Sequence, residues 1–280
     1  LGWWGAHYQR HIFAGGMVLL TAVVTVPLLA RSERRRWPEL PSDLSWYESI
    51  VVLIAALCLI RWFLVLMGFI PGSDVFGHHY AHAKDMIRLQ HFGHIPRFPT
   101  DQDHISNYSP SLMHMLYMLG MSLLDERVSN LFHWLTQAQL LVLVYGVAAA
   151  LSGRSAGMMA AAIYLGIGLQ GNFPLDVQDY TFQAVLMMVS IYGILTYRKS
   201  GRMKDLALAA VASGFMLSVK YYGFILMVPM LGMVWVVAAG PAVQKIRAGL
   251  FFGLAALAIF SPWLIYNLVH FRNPIFPFFS

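Results

Sequence analysis

Charge is scarce in this sequence. Of 280 residues, 13 are Asp or Glu and 19 are Lys or Arg, against a hydrophobic share of 58%. A soluble domain needs more charge than this to cover its surface, so the composition excludes that class. The only cysteine, Cys58, rules out an intrachain disulfide, and its place inside an apolar run makes it a buried packing residue. No HExxH or other full ligand set occurs, so no metal site is expected, although His78 and His82 stand at i, i+4 spacing. No glycine-rich phosphate loop occurs either, which argues against a nucleotide-binding site. Internal repeats and low-complexity tracts are also missing. The start shows no signal-peptide pattern, so the first apolar run would itself direct insertion. Because the sequence opens on Leu1 and stops at Ser280 after an aromatic, proline-rich stretch, we expect residues 1–280 to be a single integral-membrane domain of an incomplete chain.

What fills the sequence is a series of apolar runs near the length that spans a bilayer. The expected fold class is all-α, a polytopic transmembrane bundle of about eight spans. Net charge is +6, but the basic residues cluster in short links between runs, which points to membrane topology and not to nucleic acid. The first run covers residues 12–30 and is followed by Arg31, Arg34, Arg35 and Arg36, a cluster expected on the cytoplasmic side. The second run, 49–70, then crosses outward. Links bearing Arg198, Lys199, Arg202 and Lys204, and then Lys245 and Arg247, should return to the cytoplasmic face. Three runs, 131–151, 156–171 and 178–197, already connect the outer side to the Arg198 link. Ser111–Leu124 must therefore not span: its 14 residues make roughly 21 Å of helix, too short for a hydrocarbon core of about 30 Å. It suits a re-entrant or interfacial helix. Runs ending near Lys220, between Tyr222 and Ala239, and from Arg247 to Val269 complete the count.

One long polar interruption breaks the pattern. Residues 71–110 form an outer loop holding Asp74, Asp85, Asp101, Asp103 and six of the eleven histidines. Within it, Val75–Phe92 places Phe76, Tyr80, Ala83 and Ile87 at helical spacing with Lys84, Asp85 and Arg88 between them, the pattern of an amphipathic helix on the membrane surface. The topology brings Asp74, Asp176, Asp179, Lys220, Tyr221, Tyr222, Arg272 and Asn273 to the same membrane face.

Each candidate has two readings. Asp74 either caps the helix that follows or, at the boundary of lipid and water, accepts a proton from a substrate hydroxyl. Asp179, in the first turn of its helix, either complements the helix dipole or positions a substrate. Lys220, in SVKYYGF, either snorkels at a helix end or neutralises a lipid phosphate, because an ammonium at membrane depth is costly. Arg61 lies near the middle of the second span and is expected to face the bundle interior and find a partner.

These stretches resemble the membrane glycosyltransferases of the GT-C superfamily, of the protein O-mannosyltransferase and aminoarabinose-transferase type. GSDVFGHHYAHAKDMIRLQHFGHIP looks like their first outer loop, NYSPSLMHMLYML like the following helix, and LDVQDYTFQAVLMM like their next acidic motif. SVKYYGFILMVPML is similar to their lysine-tyrosine motif, and SPWLIYNLVHFRNPIFPFF to their tryptophan and asparagine-proline segment. The sequence departs from the family pattern at Asp74-Val75, where an acidic pair is usual, and at His78-His79-Tyr80.

The resemblance implies an inverting transferase that takes its sugar from a polyprenyl phosphate and passes it to a lipid, glycan or protein acceptor. Asp74 would be the catalytic residue, and Lys220, Arg88 and Arg272 would bind the donor phosphate. Asp179, Tyr222, His78 and His79 would bind substrate. No cofactor is implied, since the lipid-linked sugar is a substrate, and the partners are that donor and membrane lipid. The implied location is a bacterial inner membrane, with the site facing the periplasm or exterior. A lipid or solute transporter, or an inactive subunit of a membrane complex, stands as the alternative.

Overall fold

The computed structural model describes residues 44–68, 80–89, 110, 112–123, 126–170, 179–276 and 278. Asp74, His78, His79, Asp101, Asp103 and Asp176, with the first apolar run, lie outside the described residues. In chain order the helices are α1 (Trp46–Gly68), α2 (Tyr80–Leu89), α3 (Leu112–Leu123), α4 (Glu126–Ser152), α5 (Arg154–Gln170), α6 (Asp179–Ser200), α7 (Met203–Leu217), α8 (Gly223–Val237) and α9 (Ala242–Phe271). No strand occurs among the described residues, and the protein is an all-α membrane protein. By length and composition α1, α4, α6 and α9 can cross a bilayer. The helices α7 and α8 have 15 residues each, or about 22 Å, and α3 has 12.

Contacts between termini give the bundle two ends. At one, Glu48 opens α1 and pairs with Arg154, which opens α5, at 2.6 Å. Lys199, near the end of α6, donates to the carbonyl of Ala150 near the end of α4 at 3.4 Å. Short turns close the hairpins here. Gly153 (φ 88°) and Gly201 (φ 65°) take the left-handed conformation that ends α4 and α6, a backbone state open to glycine at little cost. Asp179 near the start of α6 and Arg198 and Lys199 near its finish also match the helix dipole.

At the opposite end the side-chain amide of Asn130 on α4 donates to Leu66 O on α1 at 2.7 Å and accepts a hydrogen bond from the Tyr80 hydroxyl on α2. Tyr80 also meets Tyr117 of α3 edge-on, with centroids 5.3 Å apart. The apolar stripe of α2 is Tyr80, Ala83 and Met86, all buried, and it packs on α3. Ile87, expected on that stripe, is exposed, while Met86, one residue earlier, is buried beside Tyr80 and Ala83.

The centre of the bundle is α7. Small residues let its neighbours approach: a Cβ on Gly193 of α6 would lie 3.0 Å from the Cβ of Ala209, and one on Gly214 would lie 2.5 Å from the carbonyl oxygen of Ala256 on α9. Close backbone approach through small side chains is a general way to hold helices together where lipid removes the hydrophobic drive. A buried hydrogen bond of 2.7 Å between Ser190 and Ser213 adds to the α6–α7 contact.

Arg61 departs from expectation. It is exposed on α1, whose buried stripe is Cys58, Trp62 and Leu66, and among the described residues no ion pair or hydrogen bond reaches it. One residue before Trp62, it lies about 100° around the helix from that buried position. That rotation carries its side chain off the packed face.

Candidate functional site at the Lys220 turn

The five residues between α7 and α8, Ser218 to Tyr222, form a tight turn at the end of the bundle that carries Asn130. The N–H of Gly223 donates to Lys220 O at 2.9 Å and closes it. Three other elements fix this turn. The N–H of Leu112, at the start of α3, donates to Ser218 O at 3.1 Å. The amide of Gln183 on α6 donates to Lys220 O at 3.2 Å and to Met216 O at 3.3 Å. From α9, the amide of Asn267 donates to the Tyr221 hydroxyl at 3.0 Å, and the indole N–H of Trp263 donates to it at 3.2 Å. That hydroxyl donates in turn to the carbonyl of Phe276, so the stretch after α9 folds back over the turn.

Held in this way, Lys220 presents its ammonium to the first turn of α6. Nζ lies 3.3 Å from Asp179 Oδ2, and 4.0 Å from the centre of the Tyr180 ring. The side chain of Asp179 is 2% exposed and that of Lys220 17%, so the carboxylate is enclosed and the lysine side chain partly exposed. Burial alone pulls the Lys220 pKa down, but the Asp179 carboxylate and Tyr180 outweigh it and hold it above the ordinary lysine value. The cation is therefore kept charged. Burial raises the neighbouring Tyr221 hydroxyl, which stays protonated as the hydrogen-bond scheme requires.

A second polar layer lies behind Asp179. Thr181, two residues on, accepts a hydrogen bond from the Gln137 amide of α4 at 3.3 Å. Gln137 also accepts from the Tyr164 hydroxyl of α5 at 2.5 Å and lies 3.2 Å from His133 Nε2. His133, Gln137 and Thr181 are all buried. Such a layer ties α4, α5 and α6 together under the first turn that carries Asp179.

Of the residues singled out in the sequence, Asp179 and Lys220 are brought into contact across 41 positions of chain. Tyr222 is not drawn into this group. It is 58% exposed and makes the outer surface of the turn, while its neighbour Tyr221 takes the buried, hydrogen-bonded place. Arg88 is exposed in the last turn of α2, and Arg272 is exposed in the left-handed residue that caps α9 (φ 56°). Among the described residues no hydrogen bond or ion pair joins either to Lys220. The side chain of His82 and all of Asp74, His78 and His79 lie outside the described residues. Among the described residues no three His, Cys, Asp or Glu side chains gather as metal ligands.

Tyr180, Gln183, Gln137 and His133 were not singled out by sequence reasoning. A signal was available, since Gln183 follows Asp179 by four residues and Gln137 follows His133 by four, each pair on one face of a membrane helix where polar residues are rare.

Neither a curated protein nor a solved structure matches the chain significantly. A family profile described as dolichyl-phosphate-mannose-protein mannosyltransferase matches residues 109–266. The matched stretch is more than half of the chain and includes Asp179, Gln183, Lys220 and Tyr221, whereas Asp74, Arg88 and Arg272 lie outside it. With this match, the chain belongs to the dolichyl-phosphate-mannose-protein mannosyltransferase family and is a glycosyltransferase of the membrane.

Proposed function

We propose that this glycosyltransferase takes its sugar from a polyprenyl-phosphate donor and transfers it, with inversion, to an acceptor hydroxyl or amine at the non-cytoplasmic face of a bacterial inner membrane. The observation that carries the reading is Lys220, paired with Asp179 on a turn that three helices fix at one end of the bundle, its side chain partly exposed.

In this reading the acceptor oxygen or nitrogen attacks the anomeric carbon as Asp74 removes its proton. The bond from that carbon to the donor phosphate oxygen breaks, and its electron pair leaves on the phosphate. Lys220 stabilises the charge that develops there, with Arg88 and Arg272 as further cations. Asp179, Tyr222, His78 and His79 shape the surroundings of the sugar and acceptor. The donor arrives within the lipid and needs no nucleotide site. The assignment of Asp74 rests on its place in the sequence between α1 and α2 and on the resemblance of that loop to the family.

The test is transfer of radiolabelled sugar from polyprenyl-phosphate donors in membranes containing the protein, its Asp74→Asn variant and its Lys220→Ala variant. Transfer by the unaltered protein that falls by at least about a hundredfold in Asp74→Asn, the scale of a general base, supports the reading. Absence of transfer by the unaltered protein from any common polyprenyl-phosphate sugar refutes it.

A further inference from the structure

In the described structure Lys220 already has an anion. Its contact with Asp179 is a single approach of 3.3 Å, longer than the 2.7 to 2.9 Å usual for an ammonium and a carboxylate, and on its other side the cation faces the Tyr180 ring at 4.0 Å. Resting on the proposed use of a phosphate-bearing donor, we propose that Asp179 is a stand-in for the donor phosphate: Lys220 holds the carboxylate when the site is empty and exchanges it for the phosphate when the donor enters.

Three features support the exchange. The donor phosphate, bonded to both polyprenol and sugar, is a diester with one negative charge and two free acceptor oxygens, and the polyprenyl monophosphate left after transfer carries up to two charges and three such oxygens near neutral pH, so each can compete with one carboxylate oxygen at 3.3 Å for the same ammonium. Asp179 is enclosed and fixed in the first turn of α6, with Thr181 held from behind by Gln137, so the carboxylate cannot follow the cation outward. Lys220, by contrast, has a long flexible stem on an accessible turn and can swing without moving the backbone that Gln183 and Asn267 fix. Other charged or titratable groups on the elements round this pair include Tyr180 on α6, Tyr221 and Tyr222 on the turn, His114 and Tyr117 on α3, Arg127 and His133 on α4, and Tyr266 and His270 on α9. Because Asp179 competes with the ligand, it lowers the resting affinity of the site for phosphate and keeps the cation protonated and in place. Its role is to position Lys220 and to set donor affinity.

The test uses the full chain in nanodiscs of neutral lipid, with polyprenyl monophosphate as the probe and inorganic phosphate and phosphatidylglycerol as comparators. Asp179→Asn keeps the shape of the side chain and removes the competing charge. It is expected to bind polyprenyl monophosphate about tenfold more tightly than the unaltered protein, and this gain is expected to vanish in a Lys220→Ala background. The same gain with inorganic phosphate supports the exchange and places recognition in the phosphate alone. A gain confined to the polyprenyl probe supports it with the lipid chain required. A gain confined to phosphatidylglycerol, or affinity for polyprenyl monophosphate that is unchanged or weaker in Asp179→Asn, overturns the proposal even where the unaltered protein transfers sugar. Should the amide variant fail to accumulate, the exchange is read in unmutated protein with isotope-labelled aspartate. A shift of the aspartate carboxylate stretch on adding polyprenyl monophosphate, absent in Lys220→Ala, supports it, and no shift overturns it.

Discussion

Gly214 is the point where the central helix has the least room. An added Cβ would stand 2.5 Å from the backbone oxygen of Ala256 and 2.5 Å from the Cβ of Ile259, so the obstacle is the body of α9 and not a flexible side-chain tip. To accept Gly214→Ala, α7 and α9 must part by about 1 Å to restore ordinary van der Waals separation. Overpacking of this kind costs about 1–3 kcal/mol, and better helix propensity offsets about 0.5–1 kcal/mol of it. The proper comparison is Gly249→Ala on α9, where nothing lies within 4 Å of the added carbon and only the propensity gain applies. Melting temperatures of the purified variants in one detergent, read by near-ultraviolet dichroism, should therefore move in opposite directions, with Gly214→Ala below the parent and Gly249→Ala at or above it. Because α7 leads into the Lys220 turn, Gly214→Ala should also weaken binding of polyprenyl phosphate. A Gly214→Ala protein as stable as Gly249→Ala would refute the close α7–α9 packing on which the placement of Lys220 depends.

Three further outcomes follow from the same geometry. Tyr221→Phe removes the hydroxyl that Trp263 and Asn267 donate to and that bonds Phe276 O, and should cost about 1–3 kcal/mol, read as a lower melting temperature with faster proteolysis after α9. Gln137→Leu strips Thr181 and Tyr164 of their shared partner and should cost a similar amount, about 1–3 kcal/mol, in detergent unfolding. The Lys220 pKa is raised in the folded protein, so its contribution to stability is fully present below the unfolded lysine pKa and is lost as pH rises through the folded one. Melting temperature should therefore fall on the alkaline side of the ordinary lysine range, and Lys220→Gln should lack that part of the fall.

Most of the helical framework was legible from hydropathy because, within the described residues, each apolar run maps to one helix. The runs at 131–151, 156–171 and 178–197 became α4, α5 and α6, and the short run at Ser111–Leu124 became the 12-residue α3. The turns that join α4 to α5 and α6 to α7 were legible for the same reason, with a glycine and basic residues between runs. What periodicity could not reach was rotation about a helix axis. Arg61 was expected inside from the cost of a charge in lipid, but that cost does not fix the face it takes, and the packing of Trp62 does. At the site the limit was finer still. The sequence offers Tyr221 and Tyr222 as neighbours of equal chemistry, and the turn closed by Gly223 N–H and Lys220 O sends one inward and the other outward. The pairing of Asp179 with Lys220 joins two segments whose ends share a membrane face. The expected topology placed both there but could not specify their contact, which depends on the three hydrogen-bonded anchors of the turn.

The most direct test of the account is the affinity of the purified protein for polyprenyl monophosphate, measured for Lys220→Ala beside Lys199→Ala. Lys199 is a lysine of the same chain placed at the opposite end of the bundle, where it bonds Ala150 O. The account predicts a loss of at least about tenfold, or 1.4 kcal/mol, for Lys220→Ala and none for Lys199→Ala. Equal losses in both, or none in either, would contradict the placement of the donor phosphate at the Lys220 turn.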